Sequence, residues 1–578
     1  MASLMTPRRL LPLIAVGVTV LVASWWYSLN RETPRPYMVA AANPYAADAG
    51  AEILAKGGSA VDAAIAVQAV LTLVEPESSG LAGGAFMLHW APDAQKLDAY
   101  DGRETAPAGA TPDMFMQDAA TPMGFIPAVL SGRSVGTPGA VGLLALAHKE
   151  HGKLPWASLF ERAIALSEDG FEVSPKLAAA IARDPALSQM PQSQDYFFTK
   201  DADGNRVPVA AGSVLKNPAL AETMKIIAAK GTDGFYKGEV AQKIVDAVQN
   251  APARPGTLSM EDMAGYEAKH RDAICAPYRV YKVCAMPPPT SGGIVTLQTL
   301  GILGHFDMGE IEPMSLTAVH FIAEAEKLAY ADRGKFLGDP DFVHVPVAAL
   351  LDADYLKSRS RLIDPSLSMK KAAPGTLNDK KADAQGLNVS IAFPSTSHFA
   401  IVDAAGNVVS MTTSVEAPFG SHLMAGGMIL NNQLTDFSFA PEEDGKPVAN
   451  AVAAGKRPMS AMDPVIVFDE AGDFYAALGS PGGSRIPGYV TQALVAVLDW
   501  KMDMQSAFDQ PRFLDRNGPL QIEQGTSLEA LIPDLIQLGH EVKPEKVISG
   551  LHGIRVTPQG LDGGADPRRE GKVVGGSL

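Results

Sequence analysis

The chain has 578 residues, of which 47% are apolar and 19% charged, and carries a formal net charge of −16. That balance describes a globular protein with a sizeable core and excludes a disordered chain. It also argues against a nucleic-acid partner, because phosphate contacts need clustered cations.

Arg8 and Arg9 precede an uncharged apolar run over residues 10–29, which holds Trp25-Trp26-Tyr27 near its end and is followed by Arg31. About 20 apolar residues span a bilayer. Cations ahead of the run favour a cytoplasmic start, and the aromatics suit the far interface. Residues 1–30 are therefore expected to be a membrane anchor or a signal, with residues 10–29 as the anchor. A cleaved signal peptide is the rival reading, but the bulky Trp pair makes a poor small-residue cleavage site. Either reading exports the body to the periplasmic or extracellular side.

After a short linker over residues 33–36, a helix is expected over about 44–56, stopping at Gly57-Gly58. Ser59 can cap a second helix with Asp62 three residues on. Val61, Ala64, Ile65, Val67, Val70 and Leu71 make that helix apolar on most sides, which predicts burial. A glycine-rich turn over 77–84 enters a strand, and Asp101-Gly102-Arg103-Glu104 follows another. A helix opens at Pro138, and residues 155–271 read as largely helical.

The two cysteines, Cys275 and Cys284, flank an alternating segment that reads as a hairpin. With Arg279-Val280 as a two-residue turn they face each other at a non-hydrogen-bonded site, with Cα atoms about 4.5 Å apart. That spacing fits a disulfide and an oxidising compartment. Two buried free thiols are the other reading, and Val280 is a poor residue for a positive φ in such a turn.

Residues 287–293 form a proline-rich turn before another helix, and residues 324–333 continue the helical layer. Residues 357–388 are polar, lack an apolar period and are expected to be mobile. From Thr396 onward strands dominate to about Val467 and resume near Ala476, with helices expected over 488–499 and 528–538. The pattern alone shows mixed α and β.

Thr396 lies in a Ser/Thr cluster, Ser395-Thr396-Ser397, directly ahead of an apolar strand, a Gly406-Asn407 turn and a second strand ending at Ser414. A threonine hydroxyl is a poor nucleophile at neutral pH and needs a base. An N-terminal amine, with an ordinary pKa of about 7.7–8.0, can be that base on the same residue once the preceding peptide is cut.

Several separated motifs then carry a resemblance. They are Leu130-Ser131-Gly132-Arg133-Ser134-Val135-Gly136, Pro287-Pro288-Pro289-Thr290-Ser291-Gly292-Gly293 and Lys327-Leu328-Ala329-Tyr330-Ala331-Asp332-Arg333. Further on come Asn431-Asn432-Gln433-Leu434-Thr435-Asp436-Phe437-Ser438, Lys456-Arg457-Pro458-Met459-Ser460, Gly479-Ser480-Pro481-Gly482-Gly483-Ser484-Arg485 and Asp566-Pro567-Arg568-Arg569. Together they resemble the gamma-glutamyltransferase family of N-terminal-nucleophile hydrolases, over residues 40–575.

The resemblance implies an α/β fold, a four-layer helix–sheet–sheet–helix sandwich. It implies self-cleavage between Ser395 and Thr396 into a large subunit, 31–395, and a small catalytic subunit, 396–578. Thr396 is the implied nucleophile and Ser414 the second hydroxyl beside it. Gly482 and Gly483 are the implied oxyanion donors. Arg103 would grip a substrate α-carboxylate through two parallel bonds. Asp436, assisted by Gln433, would bind the α-ammonium, and Ser460 would bind the carboxylate. His398 is read as structural, since the amine already supplies a base.

Three departures stand out. Glu416 replaces the asparagine that many members have near the α-amino group, Ala461 replaces a second serine, and the lid segment 439–455 is short. The implied activity is cleavage of γ-glutamyl amides such as glutathione, with water or an amino-acid or peptide amine as acceptor. A family acylase acting on glutaryl or cephalosporin-type amides is the nearest alternative, and an uncleaved surface binding protein the other. No metal or cofactor is implied, as no Cys/His cluster has ligand spacing in the sequence.

Overall fold

The computed structural model describes residues 35–118, 120–379, 386–387 and 395–578. The apolar segment 10–29 lies outside them, and no described helix is long and apolar enough to cross a membrane. β1 (Pro36–Ala41) leads into α1 (Pro44–Ala55), whose first turn Asn43 caps through the Tyr45 amide. α2 (Ala60–Val74) starts at a reciprocal capping box: the Asp62 amide donates to Ser59 Oγ at 3.1 Å, and the Ser59 amide donates to Asp62 Oδ2 at 2.9 Å. Every residue of α2 is buried, as its all-round apolar surface requires.

The remaining elements that frame the site follow in order. They are β2 (Gly84–Ala91), β3 (Lys96–Gly102), α3 (Ala140–His151) and β4 (Lys269–Arg271). The hairpin β5 (Ile274–Tyr278) and β6 (Tyr281–Ala285) precedes α4 (Gly292–Leu303) and α5 (Leu316–Phe336). Then come β7 (Ser397–Val402), β8 (Val408–Ser414), β9 (Val465–Phe468), β10 (Phe474–Gly479) and α6 (Ile486–Leu498). β11 (His552–Thr557), β12 (Gly560–Ala565) and β13 (Lys572–Ser577) close the chain.

Two sheets result, ordered β13-β1-β7-β8-β2-β3-β4 and β12-β11-β10-β9-β6-β5. Alternation along the strands of the first sheet builds the layers. Val39, Ala41, Met87, Phe399, Ile401 and Met411 pack with α1, α2 and α3. Their neighbours Ala40, Phe86, Leu88, Ala400 and Val402 face the second sheet, whose far side α4, α5 and α6 cover. Helices, sheet, sheet and helices are thus four layers, as the family resemblance implies. Both sheets contain strands from either side of Thr396, so the two halves of the chain share one body.

The hairpin carries a Cys275–Cys284 disulfide with Cα atoms 4.1 Å apart, and the two cysteines are register partners. Arg279 takes the positive φ of the turn, which relieves Val280 of it. Residues 528–538 form a 3-10 turn, Ser527–Leu531, and a short helix, Ile532–Gln537.

Of the segment 357–388, expected to be mobile, residues 380–385 and 388 lie outside the described residues, and the rest is held by specific hydrogen bonds. Arg359 reaches the Ala373 carbonyl at 2.9 Å, the Gly375 amide binds Asp332 at 2.8 Å, and the Ala372 amide binds Asn517 at 2.7 Å. Polar composition misleads here because the segment is held by polar partners such as Asp332 and Asn517 and also buries Ile363, Ala372 and Leu377 at irregular spacing. The stretch 439–455 contains a small ribbon of Glu442–Glu443 and Lys446–Pro447.

Candidate active site

One end of the paired sheets gathers residues from distant parts of the sequence. Ser397 pairs with Thr413, so the antiparallel register sets Thr396 beside Ser414. Ser414 in turn pairs with Gly84, and Ala85 pairs with Gly102, which brings the following residue, Arg103, to the same end. The loop after β10 supplies Gly482 and Gly483.

A cavity of about 20 Å³ lies among these ends, lined by Arg103, Ser395, Thr396, Ser414, Glu416, Gln433, Asp436, Ser460, Ala461 and Gly483 with Met462 and Ile486. It has room for about one water. Every site residue expected from sequence lines it except Gly482, which adjoins Gly483.

The Ser395–Thr396 peptide sits in a chain of hydroxyls. Thr396 Oγ1 donates to Ser414 Oγ at 3.2 Å and also touches the Ser395 carbonyl oxygen. Ser414 Oγ donates to that carbonyl at 3.0 Å and accepts from the Glu416 amide at 2.9 Å. The Ser395 hydroxyl is held by the Glu77 carbonyl, and Arg569 Nη1 donates to the Thr396 carbonyl at 3.1 Å. All three hydroxyl residues are buried.

The other half of the cavity is charged. Arg103 Nη2 donates to Asp436 Oδ2 at 2.5 Å and to the Met459 carbonyl at 3.1 Å, while Nε donates to the Pro458 carbonyl at 3.0 Å. Arg103 Nη1 has no hydrogen-bond partner among the described residues, and neither has Gln433 Oε1. Burial raises the Asp436 pKa against the pull of Arg103. Burial pushes the adjacent Glu104 carboxyl up to about 8, so it is mostly neutral at pH 7. Glu416 is buried at φ +82°, and its carboxylate accepts from Asn432 Nδ2.

Gly482 and Gly483 have φ of +145° and +59°, and a Cβ on Gly482 would stand 2.8 Å from the Tyr489 ring. Glycine is therefore required at this turn. No hydrogen bond to either N–H forms among the described residues. The Ser460 loop is anchored by the proline-rich turn: the Ser291 amide and hydroxyl donate to the Ser460 carbonyl at 2.8 and 2.6 Å. Ser460 Oγ accepts from the Met462 amide at 3.1 Å.

His398 lies away from the cavity, with Nδ1 2.9 Å from Thr412 Oγ1. Burial, then His552, holds its pKa well below the usual histidine range.

Sequence reasoning missed four contributors. Asn432 links Glu416 to the Ala417 amide and to Thr435. Arg569 holds the Thr396 carbonyl. Behind the site, Ser397 donates to Glu75, which pairs with Lys176 at 2.7 Å. Asn432 and Arg569 sat inside quoted motifs, yet nothing local marked which atoms they serve. Glu75 and Lys176 carried no sequence signal.

Two facing antiparallel sheets between helical layers, with a threonine opening a strand at the site, define the fold of the N-terminal-nucleophile hydrolases. Within that class the chain belongs to the gamma-glutamyltranspeptidase family, whose model matches residues 46–576. It is 35% identical to the glutathione hydrolase proenzyme of Bacillus subtilis (strain 168), over 94% of this chain and 92% of that one. Identity to the glutathione hydrolase proenzyme of Escherichia coli (strain K12) is 37%, over 93% and 91%. A solved cephalosporin acylase from Bacillus halodurans shares the fold with a TM-score of 0.79 and 29% identity, covering 94% of this chain and 97% of that one.

Proposed function

We propose that the chain cuts itself between Ser395 and Thr396 and then acts as a γ-glutamyltransferase and glutathione hydrolase through Thr396. In the first step Thr396 Oγ1 attacks the Ser395 carbonyl carbon. Its proton passes to the Thr396 nitrogen as the C–N bond breaks, leaving an ester. Water hydrolyses that ester and yields a Ser395 carboxylate, a free Thr396 hydroxyl and a free α-amine. The Ser414 hydroxyl, donating to the Ser395 carbonyl, polarises the bond under attack. The products are the piece ending at Ser395, whose large-subunit body is 31–395, and the small subunit 396–578, which stay joined through the shared sheets.

In the mature enzyme the amine takes the hydroxyl proton as Oγ1 attacks the γ-carbonyl of the donor. The Gly482 and Gly483 amides stabilise the oxyanion, and the proton leaves with the departing amine. Water or an amino-acid or peptide amine then resolves the γ-glutamyl ester.

One observation carries the donor class: Arg103 and Asp436 line the cavity as a buried pair. A zwitterionic α-amino-acid head exchanges that one bridge for two, its carboxylate on Arg103 with Ser460 and its ammonium on Asp436 with Gln433 and Glu416. A glutaryl chain lacks the ammonium and would leave Asp436 buried without its cation, which is costly. The likeness to a cephalosporin acylase keeps that second reading in play, and Ala461 suits it by removing a hydroxyl donor.

The test has two readings. Intact mass and fragment N-termini should give a small piece starting at Thr396. The purified enzyme should cleave γ-glutamyl-p-nitroanilide with kcat/KM at least about 10²-fold above glutaryl-p-nitroanilide. The reverse preference assigns the acylase reading, and an uncut chain removes the mechanism. The apolar segment 10–29 supports export with a membrane tether, tested by fractionating cells that express the full chain and a chain lacking residues 1–30.

A further inference from the structure

The outward face of the β2–β3–β4 edge holds a second cluster of chemistry-bearing side chains, apart from Thr396. It lies at the far end of β3 from Arg103, about 15 Å along the strand. The register assembles it. His89 pairs with Asp98 across β2 and β3, and Tyr100 pairs with His270 across β3 and β4. These residues share the face that α3 covers, and the last residue of α3, His151, stacks on His89 with ring centroids 3.8 Å apart.

Asp98 is fully buried at the centre. Its Oδ1 lies 2.7 Å from His270 Nε2, and its Oδ2 lies 3.3 Å from His151 Nε2. Asp98 Oδ2 and the buried His89 Nδ1 have no hydrogen-bond partner among the described residues. Ligand atoms of His89, Asp98 and His151 all lie within 4.8 Å of one another, and so do those of Asp98, Glu150 and His270.

We propose that His89, Asp98 and His151 form a site for one divalent transition-metal cation of the zinc class, with His270 and Glu150 beside it to complete the coordination. Two donors each about 2.0–2.1 Å from a tetrahedral ion stand roughly 3.3 Å apart, as Asp98 Oδ2 and His151 Nε2 do here. Imidazole and carboxylate donors suit zinc and its neighbours, whereas magnesium and calcium take oxygen alone.

His151, Glu150 and His270 keep 18%, 35% and 39% of their side-chain surface exposed, which gives the ion an entry path. Tyr100 Oη lies 2.7 Å from His151 Nε2 and 2.8 Å from Glu150 Oε2, so it can turn wholly to Glu150 when the ion takes the imidazole. Lys96 is the resident competitor, 2.7 Å from Asp98 Oδ1, but it is 54% exposed and free to swing out. The bound ion would staple β2, β3, β4 and α3 at the edge of the first sheet.

The experiment uses the untagged full chain, stripped with a chelator and dialysed against Zn²⁺ alone. One ion should bind per chain, in the wild type and in Thr396→Ala alike, and should raise Tm. His151→Ala, at the exposed end of a helix, should weaken binding at least tenfold and abolish the rise. Lys96→Ala should tighten binding severalfold by removing the competing ammonium. Circular dichroism checks that each variant is folded, and His270→Ala replaces any that is not, with at least threefold weaker binding expected. Uptake below one ion per chain, or equal affinity in wild type and His151→Ala, overturns the site. Uptake abolished by Thr396→Ala reassigns the ion to the cavity at Thr396 and overturns it as well.

Discussion

The two halves of the cavity are built on different principles. Around the Ser395–Thr396 peptide the groups are small, neutral hydroxyls placed by strand register, with Thr396 and Ser414 3.2 Å apart because β7 and β8 pair in one way only. Around Arg103 the groups are charged and buried, and their positions come from loops that meet only in the fold, with the Arg103–Asp436 bridge spanning 333 residues. On the proposed mechanism the hydroxyl half breaks the bond and is insensitive to which acyl group arrives. On the same proposal the charged half selects the substrate, because a buried charge tolerates only a complementary one.

That division can be broken first at the nucleophile. Thr396→Ala should leave a single uncut chain by intact mass and lower turnover by about 10⁴-fold or more. A processed, active variant would remove Thr396 from the chemistry. Asp436→Asn tests the charged half. It should cost about 10²–10³ in kcat/KM toward a γ-glutamyl anilide, mainly through KM, while self-cleavage proceeds. Equal damage to processing would mean the halves are not separable. Ser414→Ala should do the converse, slowing the appearance of the 396–578 fragment about 10–100-fold in a time course.

Smaller effects sharpen the electrostatics. Glu104 has a folded pKa of about 8 against an ordinary 4.5, with burial the cause. The folded state therefore keeps a proton that the unfolded chain releases. Its contribution to stability is whole below about pH 4.5 and is lost as pH rises through 8. Glu104→Gln, which mimics the protonated acid, should flatten the fall in Tm between pH 5 and 9, and an unchanged slope would assign that fall to other groups. The smallest change is expected at Glu416, whose φ of +82° suits asparagine better than glutamate. Glu416→Asn should raise Tm by about 1–2 °C. It should also shift the ratio of γ-glutamyl to glutaryl cleavage, and an unchanged ratio would take Glu416 out of substrate choice.

Part of the hydroxyl half was legible in the linear sequence. A Ser/Thr cluster before two short strands and a tight turn was visible locally, whereas the place of Ser414 beside Thr396 was reached through family resemblance and follows from the antiparallel register of the structure. The capping box at Ser59 and the Cys275–Cys284 hairpin were legible locally as well. Arg103, Gln433, Asp436 and Ser460 were reached through family resemblance, and nothing local in them announces that they meet. The contacts of segment 357–379 were not legible, because low apolar periodicity does not reveal buried polar partners such as Asp332. The absence of Cys/His ligand spacing in sequence likewise concealed the cluster at Asp98, whose members lie as far apart as residues 89 and 270.

The sequence by itself determined most element types, the capping box at Ser59, the Cys275–Cys284 hairpin and the layer-forming alternation. Each depends on contacts over a few residues or on one side chain's conformational limits. Only the tertiary structure decided that Arg103 pairs with Asp436, that Glu104 is held neutral, that Asn432 braces Glu416 and that three imidazoles surround Asp98. Those outcomes depend on burial and on distances between remote segments, and both arise when the two sheets pack and exclude water.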